Sequence, residues 1–294
     1  MKFTVPAFLQ PLHFLWMAVI NFMRHDGMMM AGHLSFLTLL AFFPFLIFLV
    51  SVAGFFGQTN AGTEALNFMF ENMPPDVVKV LRKPVERLIT NTSGEIMTFS
   101  ILGSIWVSAN AIEAGRVVIA RAYMVSKRAS YLRRRAESLG LVVLAASSIL
   151  MGMSILVLGP VAWLTVTKFI PLDADWSALW QWIRVGVSTA LILGAVSLIY
   201  FTLKPRHLGT RPPVLPGAII TIMVWFAIGS LFSVYLKHFG NYDVTYGSLA
   251  GAIIALVFFY FISAGFILGA EVNAALFTQQ RKKRQSDTGH HQAD

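Results

Sequence analysis

Between Val244 and Ala270 the chain carries no charged residue, and the run then closes on Glu271 and Asn273. A hydrocarbon core of about 30 Å needs roughly 20 apolar residues in a helix, and lipid offers no partner to an unpaired backbone amide. A membrane-spanning helix is therefore the conformation this stretch can adopt. Small residues recur along it at four-residue spacing: Gly247, Gly251 and Ala255 near the start, Gly265 and Gly269 near the end. That spacing predicts a neighbouring helix in close approach on one face. The helix ends ahead of a basic run, Arg281, Lys282, Lys283 and Arg284.

The rest of the chain matches it in class. Hydrophobic residues make up 56% and charged residues 13% of the sequence, where soluble domains carry about a quarter charged. The expected fold is all-α: a polytopic integral membrane protein with six transmembrane helices and additional amphipathic interfacial helices. With no cysteine in the sequence, disulfides, thiolate metal sites and a cysteine nucleophile are excluded.

In chain order, residues 1–26 read as an interfacial helix, because Phe8, Leu12, Leu15, Trp16, Val19 and Phe22 recur at steps of one, three or four among polar neighbours. No small-residue cleavage site follows promptly, so this segment reads as retained. The first span is expected over residues 31–56, with a kink at Pro44; His33, near its start, reads as packed or facing headgroups. Residues 57–95 form the longest polar interruption and read as two short amphipathic helices on the outer surface, parted by Pro74 and Pro75. Further spans are expected over 96–120, 139–166, 179–203 and from Pro216 to about residue 236, with Gly159 and Pro160 bending the third. The whole of residues 1–277 reads as a single transmembrane domain, and 278–294 as a disordered cytoplasmic tail.

The net charge of +9 is placed rather than spread. Assigning the first residues, the stretch 116–135, the loop 204–211 and the tail to one side collects 16 of the 23 basic residues there. By the positive-inside rule that side is the cytoplasm, with both termini in it. Arg133, Arg134 and Arg135 fix this topology and offer a surface for anionic lipid headgroups. Nucleic acid is a weaker partner for them, since no recognised binding motif accompanies the cluster.

Polar residues within or beside the spans are the candidate pathway or substrate contacts: Glu113, Arg116, Glu271, Asn273 and Asp26. Glu113 and Arg116, three apart on one helical face, also read as a simple ion pair. Ser100, Ser104 and Ser108 form a ladder suited to tight interhelical packing.

Four segments carry a resemblance: HLSFLTLLAFFPFLIFLV from His33, AIEAGRVVIARAY from Ala111, WFAIGSLFSVYLKHFGNYDVTYGSL after Pro216 and Gly217, and the terminal GAEVNAAL. Over roughly residues 26–276 the chain resembles the YihY/BrkB family of bacterial inner-membrane proteins, once also labelled ribonuclease BN. The resemblance implies six transmembrane helices, cytoplasmic termini and no established biochemical activity; members are associated with resistance to serum killing and, less directly, with envelope lipid export. It marks Glu271 and Asn273, Tyr246, Gly247 and Ser248, and Pro216 and Gly217 as positions of family importance. Gly115 and Ala120 depart from the leucine and asparagine expected nearby in many members.

The ribonuclease label meets a chemical objection. Metal-dependent RNA cleavage needs clustered carboxylates or histidines in a wet site. The sequence has no such histidine cluster outside the tail, no H-E-x-x-H pair, no phosphate-binding loop and no nucleophile elbow. The protein is thus expected not to be an enzyme, and no cofactor or metal is expected. Two functional classes follow: a transporter or flippase-like protein for an anionic amphiphile or envelope lipid, or a non-transporting structural or regulatory scaffold of the envelope. Membrane lipids are the expected partners, with a homo-oligomer or an envelope protein as further partners and no nucleic acid.

Overall fold

The computed structural model describes residues 10–57, 94–125, 130–169, 174–205, 212–238 and 250–290, and the described residues are helical apart from short turns. Among the described residues seven helices follow one another: α1 (Gln10–Arg24), α2 (Gly27–Gly57), α3 (Gly94–Ala122), α4 (Tyr131–Phe169), α5 (Ala174–Leu203), α6 (Leu215–His238) and α7 (Ala250–His290). Among the described residues four stretches are long and apolar enough to cross a membrane: Tyr131–Gly152, Leu179–Leu203, Leu215–Tyr235 and Gly251–Lys282. Leu15–Arg24 and Gly27–Phe42 are shorter apolar stretches. The expected outer amphipathic helices fall on residues that lie almost wholly outside those described.

Side-chain placement is that of a membrane protein. The buried set is dominated by small residues, among them Ala18, Ala31, Ala109, Ala114, Ala218, Ala270 and Ala274, while Leu132, Trp182, Met223, Phe226 and Leu231 face outward. Trp182 is 76% and Leu231 70% exposed. In water such a surface would drive association, whereas in lipid it is the solvated face and small residues let helix backbones close on one another.

The chain divides into two compact units that share several of its helices. Unit 1 comprises Met1–Leu39, Glu113–Arg134 and Val196–Asp294; unit 2 comprises Leu40–Ile112 and Arg135–Ala195. The division within α2 falls at Leu40, whose carbonyl lacks its intrahelical donor because Pro44 has no N–H.

In unit 1, α6 and α7 run antiparallel, and glycine sets their separation. A Cβ on Gly217 would strike the Gly269 carbonyl, and one on Gly265 would lie 2.8 Å from Val224. The expected close approach at Gly265 and Gly269 is thus made by α6, whereas a Cβ on Gly251, in the other half of the stripe, would meet open space. The Trp225 indole donates to the Ile262 carbonyl at 2.9 Å, and Phe232 packs on Phe258 with centroids 5.0 Å apart. A small core of Ala31, Leu34, Ala114, Val118 and Ile267, flanked by Phe22, Met30 and Phe266, joins α1 and α2 to α3 and α7. The tail expectation is corrected here: α7 does not stop at Phe277 but continues to His290. Gln279, Gln280, Arg281, Lys282, Lys283 and Arg284 are good helix formers, so propagation from a stable helix costs little there.

In unit 2, Ser104 and Ser108 are both buried, as the ladder predicts, and the Ser108 hydroxyl donates to the Ala41 carbonyl at 3.4 Å. Arg135, at the head of α4, is also buried. Its guanidinium lies over the Trp106 ring at 4.0 Å and donates to Asn110 Oδ1 at 2.9 Å and to the Trp106 carbonyl at 2.5 Å.

Candidate functional site

The site begins with a turn. Arg24 ends α1, His25 N–H still donates to the Asn21 carbonyl at 2.8 Å, and Asp26 then takes a left-handed backbone with φ of 56°. Asp tolerates that conformation better than most residues. Gly27 must follow, because a Cβ there would sit 2.6 Å from the Phe22 carbonyl oxygen. α2 starts at once, and Met30 N–H bonds back to the Asp26 carbonyl at 2.9 Å.

This sharp reversal sends two adjacent side chains to two different helices. His25 Nδ1 lies 2.7 Å from Glu271 Oε1 on α7, and Asp26 pairs with Arg121 in the last turn of α3. Glu271 is only 1% exposed, while the His25 side chain is 20% exposed. The second carboxylate oxygen of Glu271, Oε2, is buried with no hydrogen-bond partner among the described residues. Tyr123, in the turn after α3, stands edge-on to Phe277 with centroids 5.9 Å apart. Burial holds its phenol above the ordinary tyrosine value and the Glu271 carboxylate adds to the effect, so Tyr123 stays protonated.

Two residues further along α7, Asn273 does a different job. Its Oδ1 accepts the Gly217 N–H at 2.8 Å and its Nδ2 donates to the Val214 carbonyl at 3.2 Å. Gly217 is in the first turn of α6, where backbone N–H groups lack intrahelical acceptors. Asn273 is thus an N-terminal cap supplied by another helix, and it joins two of the positions that the resemblance marks, Gly217 and Asn273, in one contact. Below it, Thr221 donates to the Gly217 carbonyl at 2.8 Å. The Tyr200 hydroxyl lies 2.7 Å from Thr221 Oγ1 and 2.6 Å from the Phe266 carbonyl. With the Thr221 proton already used, Tyr200 offers one proton to two acceptors.

Glu113 and Arg116 form the expected i, i+3 pair at 3.4 Å, and Arg134 Nη1 approaches the other Glu113 oxygen at 3.7 Å. Arg116 also reaches the Arg134 carbonyl at 3.5 Å. Glu113 is therefore bracketed by two cations. The three arginines expected to act as one headgroup surface are in different places: Arg133 exposed, Arg134 half-buried, Arg135 buried. Three successive helical residues point about 100° apart, so they cannot share one face. Tyr246, Gly247 and Ser248 lie outside the described residues. The residues not singled out from sequence are His25, Arg121, Tyr123, Tyr200, Thr221 and the Asn110–Trp106 cradle of Arg135; only His25, beside Asp26 at a helix junction, carried a local signal.

Among the described residues no group of three or more His, Cys, Asp or Glu could hold a metal ion. A groove of about 280 Å³ between α6 and α7 is lined by Ile228, Leu231, Phe232, Tyr235, Val257 and Phe261 rather than by the polar candidates.

The family model described as virulence factor BrkB matches residues 18–294. The chain belongs to the BrkB family. Relatives of this BrkB-family chain include the ribonuclease-like protein YfkH of Bacillus subtilis, 28% identical over 91% of this chain and 95% of its own length. Another is the UPF0761 membrane protein VP0125 of Vibrio parahaemolyticus, 26% identical over 90% of this chain and 82% of that protein. A third, PSHAa0171 of Pseudoalteromonas translucida, is 25% identical over 94% of this chain and 90% of its own. No solved structure matches. The BrkB-family match includes Glu271, Asn273, Gly217 and the His25–Asp26 turn.

Proposed function

We propose that this BrkB-family membrane protein is a six-span protein of the bacterial inner membrane, both termini cytoplasmic, that moves an anionic amphiphile such as an envelope lipid across the bilayer. One observation carries the reading: Glu271, almost fully buried in a helix with the composition of a membrane span, holds a carboxylate oxygen without a partner among the described residues. Ionisable groups buried within membrane helices are costly and belong mostly to pathways and relays rather than to packing. Arg121, which pairs with Asp26 beside the His25 turn, is a cation of the kind that an anionic headgroup requires.

A second reading is a non-transporting scaffold of the envelope, acting as a homo-oligomer or with an envelope protein. It is favoured by the Asn273 cap, which looks built for rigidity. RNA cleavage, suggested by the ribonuclease-like name of one relative, is the weakest of the three, because among the described residues no group of three or more His, Cys, Asp or Glu could hold the metal ions such cleavage uses.

Proteoliposomes carrying a fluorescent anionic phospholipid in one leaflet test the proposal. The purified protein should accelerate transbilayer movement over protein-free vesicles, and Glu271→Gln should return it to the protein-free rate while remaining monodisperse. Movement no faster than in empty vesicles would favour the scaffold.

A further inference from the structure

The junction holds groups that a packing role leaves unexplained. His25 is partly exposed, next to the exposed Asp26–Arg121 pair, and touches Glu271 at 2.7 Å; Glu271 is buried and has its other oxygen unused among the described residues. A partly exposed titratable residue is thus in series with a buried one.

We infer that His25 and Glu271 form a proton-exchange site, in which the imidazole takes a proton from water and delivers it to the buried carboxylate. Water-borne H⁺ adds to the imidazole nitrogen facing away from Glu271, giving an imidazolium with N–H bonds on both nitrogens. The Nδ1–H bond then breaks, its electron pair stays on Nδ1, and the proton forms an O–H bond on Glu271 Oε1. A neutral imidazole and a neutral acid remain, with Oε2 still without a partner among the described residues. Imidazole suits the first role because its two nitrogens can load and unload separately.

The groups around this pair are consistent with one titrating unit. From the α1–α2 turn comes Asp26, whose charge is matched by Arg121 of α3. Tyr123, also following α3, stays protonated and brings no charge. α5 contributes the phenol of Tyr200, already hydrogen-bonded to the α7 backbone, and α6 brings the backbone held by Asn273. Arg24 closes α1 and faces outward. No second carboxylate shares the Glu271 contact among the described residues, so the proton on the His25–Glu271 pair controls the charge there.

This deepens the transport reading and rests on it for its purpose. An ionised Glu271 would repel an anionic headgroup, whereas the neutral acid would not, so proton uptake and anion binding reinforce each other through one coupling free energy.

Infrared difference spectra of the purified full chain, titrated between acidic and alkaline pH, read the carboxyl directly. A protonated-carboxyl band should grow on acidification while the protein stays folded, vanish in Glu271→Gln, and move its midpoint by about one pH unit in His25→Gln. Should Glu271→Gln fail to fold, the His25→Gln shift together with Glu271→Asp, which changes the band position but keeps a titrating acid, decides the matter. A band that does not titrate in the folded protein, or one that ignores all these changes, overturns the proton site. A titrating band in protein that moves no lipid keeps the proton site and removes the transport reading, and lipid movement without a titrating band does the reverse.

Discussion

Glu271 and Asn273 stand two residues apart on α7, both almost fully buried, yet their surroundings differ in kind. Asn273 is neutral and satisfied at both ends, with Gly217 N–H on its oxygen and the Val214 carbonyl on its nitrogen. Glu271 is ionisable and satisfied at one end only, with His25 on Oε1 and no described partner on Oε2. Buried polar groups in native proteins are almost always paired, and an orphaned one costs about 1–3 kcal/mol. The seam around Asn273 therefore looks shaped for stability, and the junction around Glu271 keeps a cost that stability alone would remove.

The sharpest way to break the seam is to add one carbon. Gly217→Ala would drive its Cβ into the Gly269 carbonyl, and Gly269→Ala would press on the Gly217 carbonyl and the Tyr200 hydroxyl at 2.5 Å. Backbone cannot yield as a flexible side chain does, so each change should cost about 3 kcal/mol or more. Thermal unfolding in detergent should show a large fall in midpoint for both, with Gly251→Ala, whose Cβ meets open space, as the unaffected control. Equal behaviour of the three would show that α6 and α7 do not touch as described.

Next in size is the cap. Asn273→Leu would leave the Gly217 N–H without its acceptor and take one of two donors from the Val214 carbonyl, which keeps the Ala218 N–H, and should lose about 2 kcal/mol. Asn273→Asp keeps an acceptor for Gly217 but loses the donor to Val214, and should fall between. If leucine were as stable as asparagine, the contrast between the two α7 residues would collapse.

Glu271→Gln is expected to reverse the pattern. The amide keeps a hydrogen bond to His25 and removes the need to bury a charge, so the change in stability should be about 1 kcal/mol or less and toward higher stability. Lipid movement should nevertheless be lost. A variant both less stable and fully active would place Glu271 with Asn273 as a packing residue.

How much of this could be read from the residues alone depends on chain separation. The uncharged run of α7, its closing Glu271 and its glycine spacing state a membrane helix outright, because length and composition are local properties. The Glu113–Arg116 pair was equally legible, being one helical turn long. Asn273 and Gly217 were both singled out, but 56 residues part them and nothing local says that one caps the other. His25 and Glu271 are 246 residues apart. The unequal placement of the arginine run was open to local reasoning in part: 100° of rotation per residue sends 133, 134 and 135 to different faces, whereas the cradle of Trp106 and Asn110, four apart on α3, lies more than twenty residues away in sequence from Arg135.

The smallest effect concerns the turn that brings His25 to Glu271, and it separates backbone from charge. Asp26 is about half exposed and its bond to Arg121 is a surface pair, worth at most about 1 kcal/mol. Its φ of 56°, on the other hand, is disfavoured for any residue with a Cβ and free for glycine. Asp26→Gly loses the pair but relieves the backbone, so the two terms should nearly cancel and leave stability within about 0.5 kcal/mol of the wild type. Asp26→Ala loses the pair without that relief and should be the less stable of the two. If the junction serves His25 through the shape of the turn, the glycine variant should also keep the infrared titration of Glu271, since His25 is still delivered to the same place. Loss of that titration in Asp26→Gly at unchanged stability would instead make the Asp26–Arg121 charge pair part of the proton site.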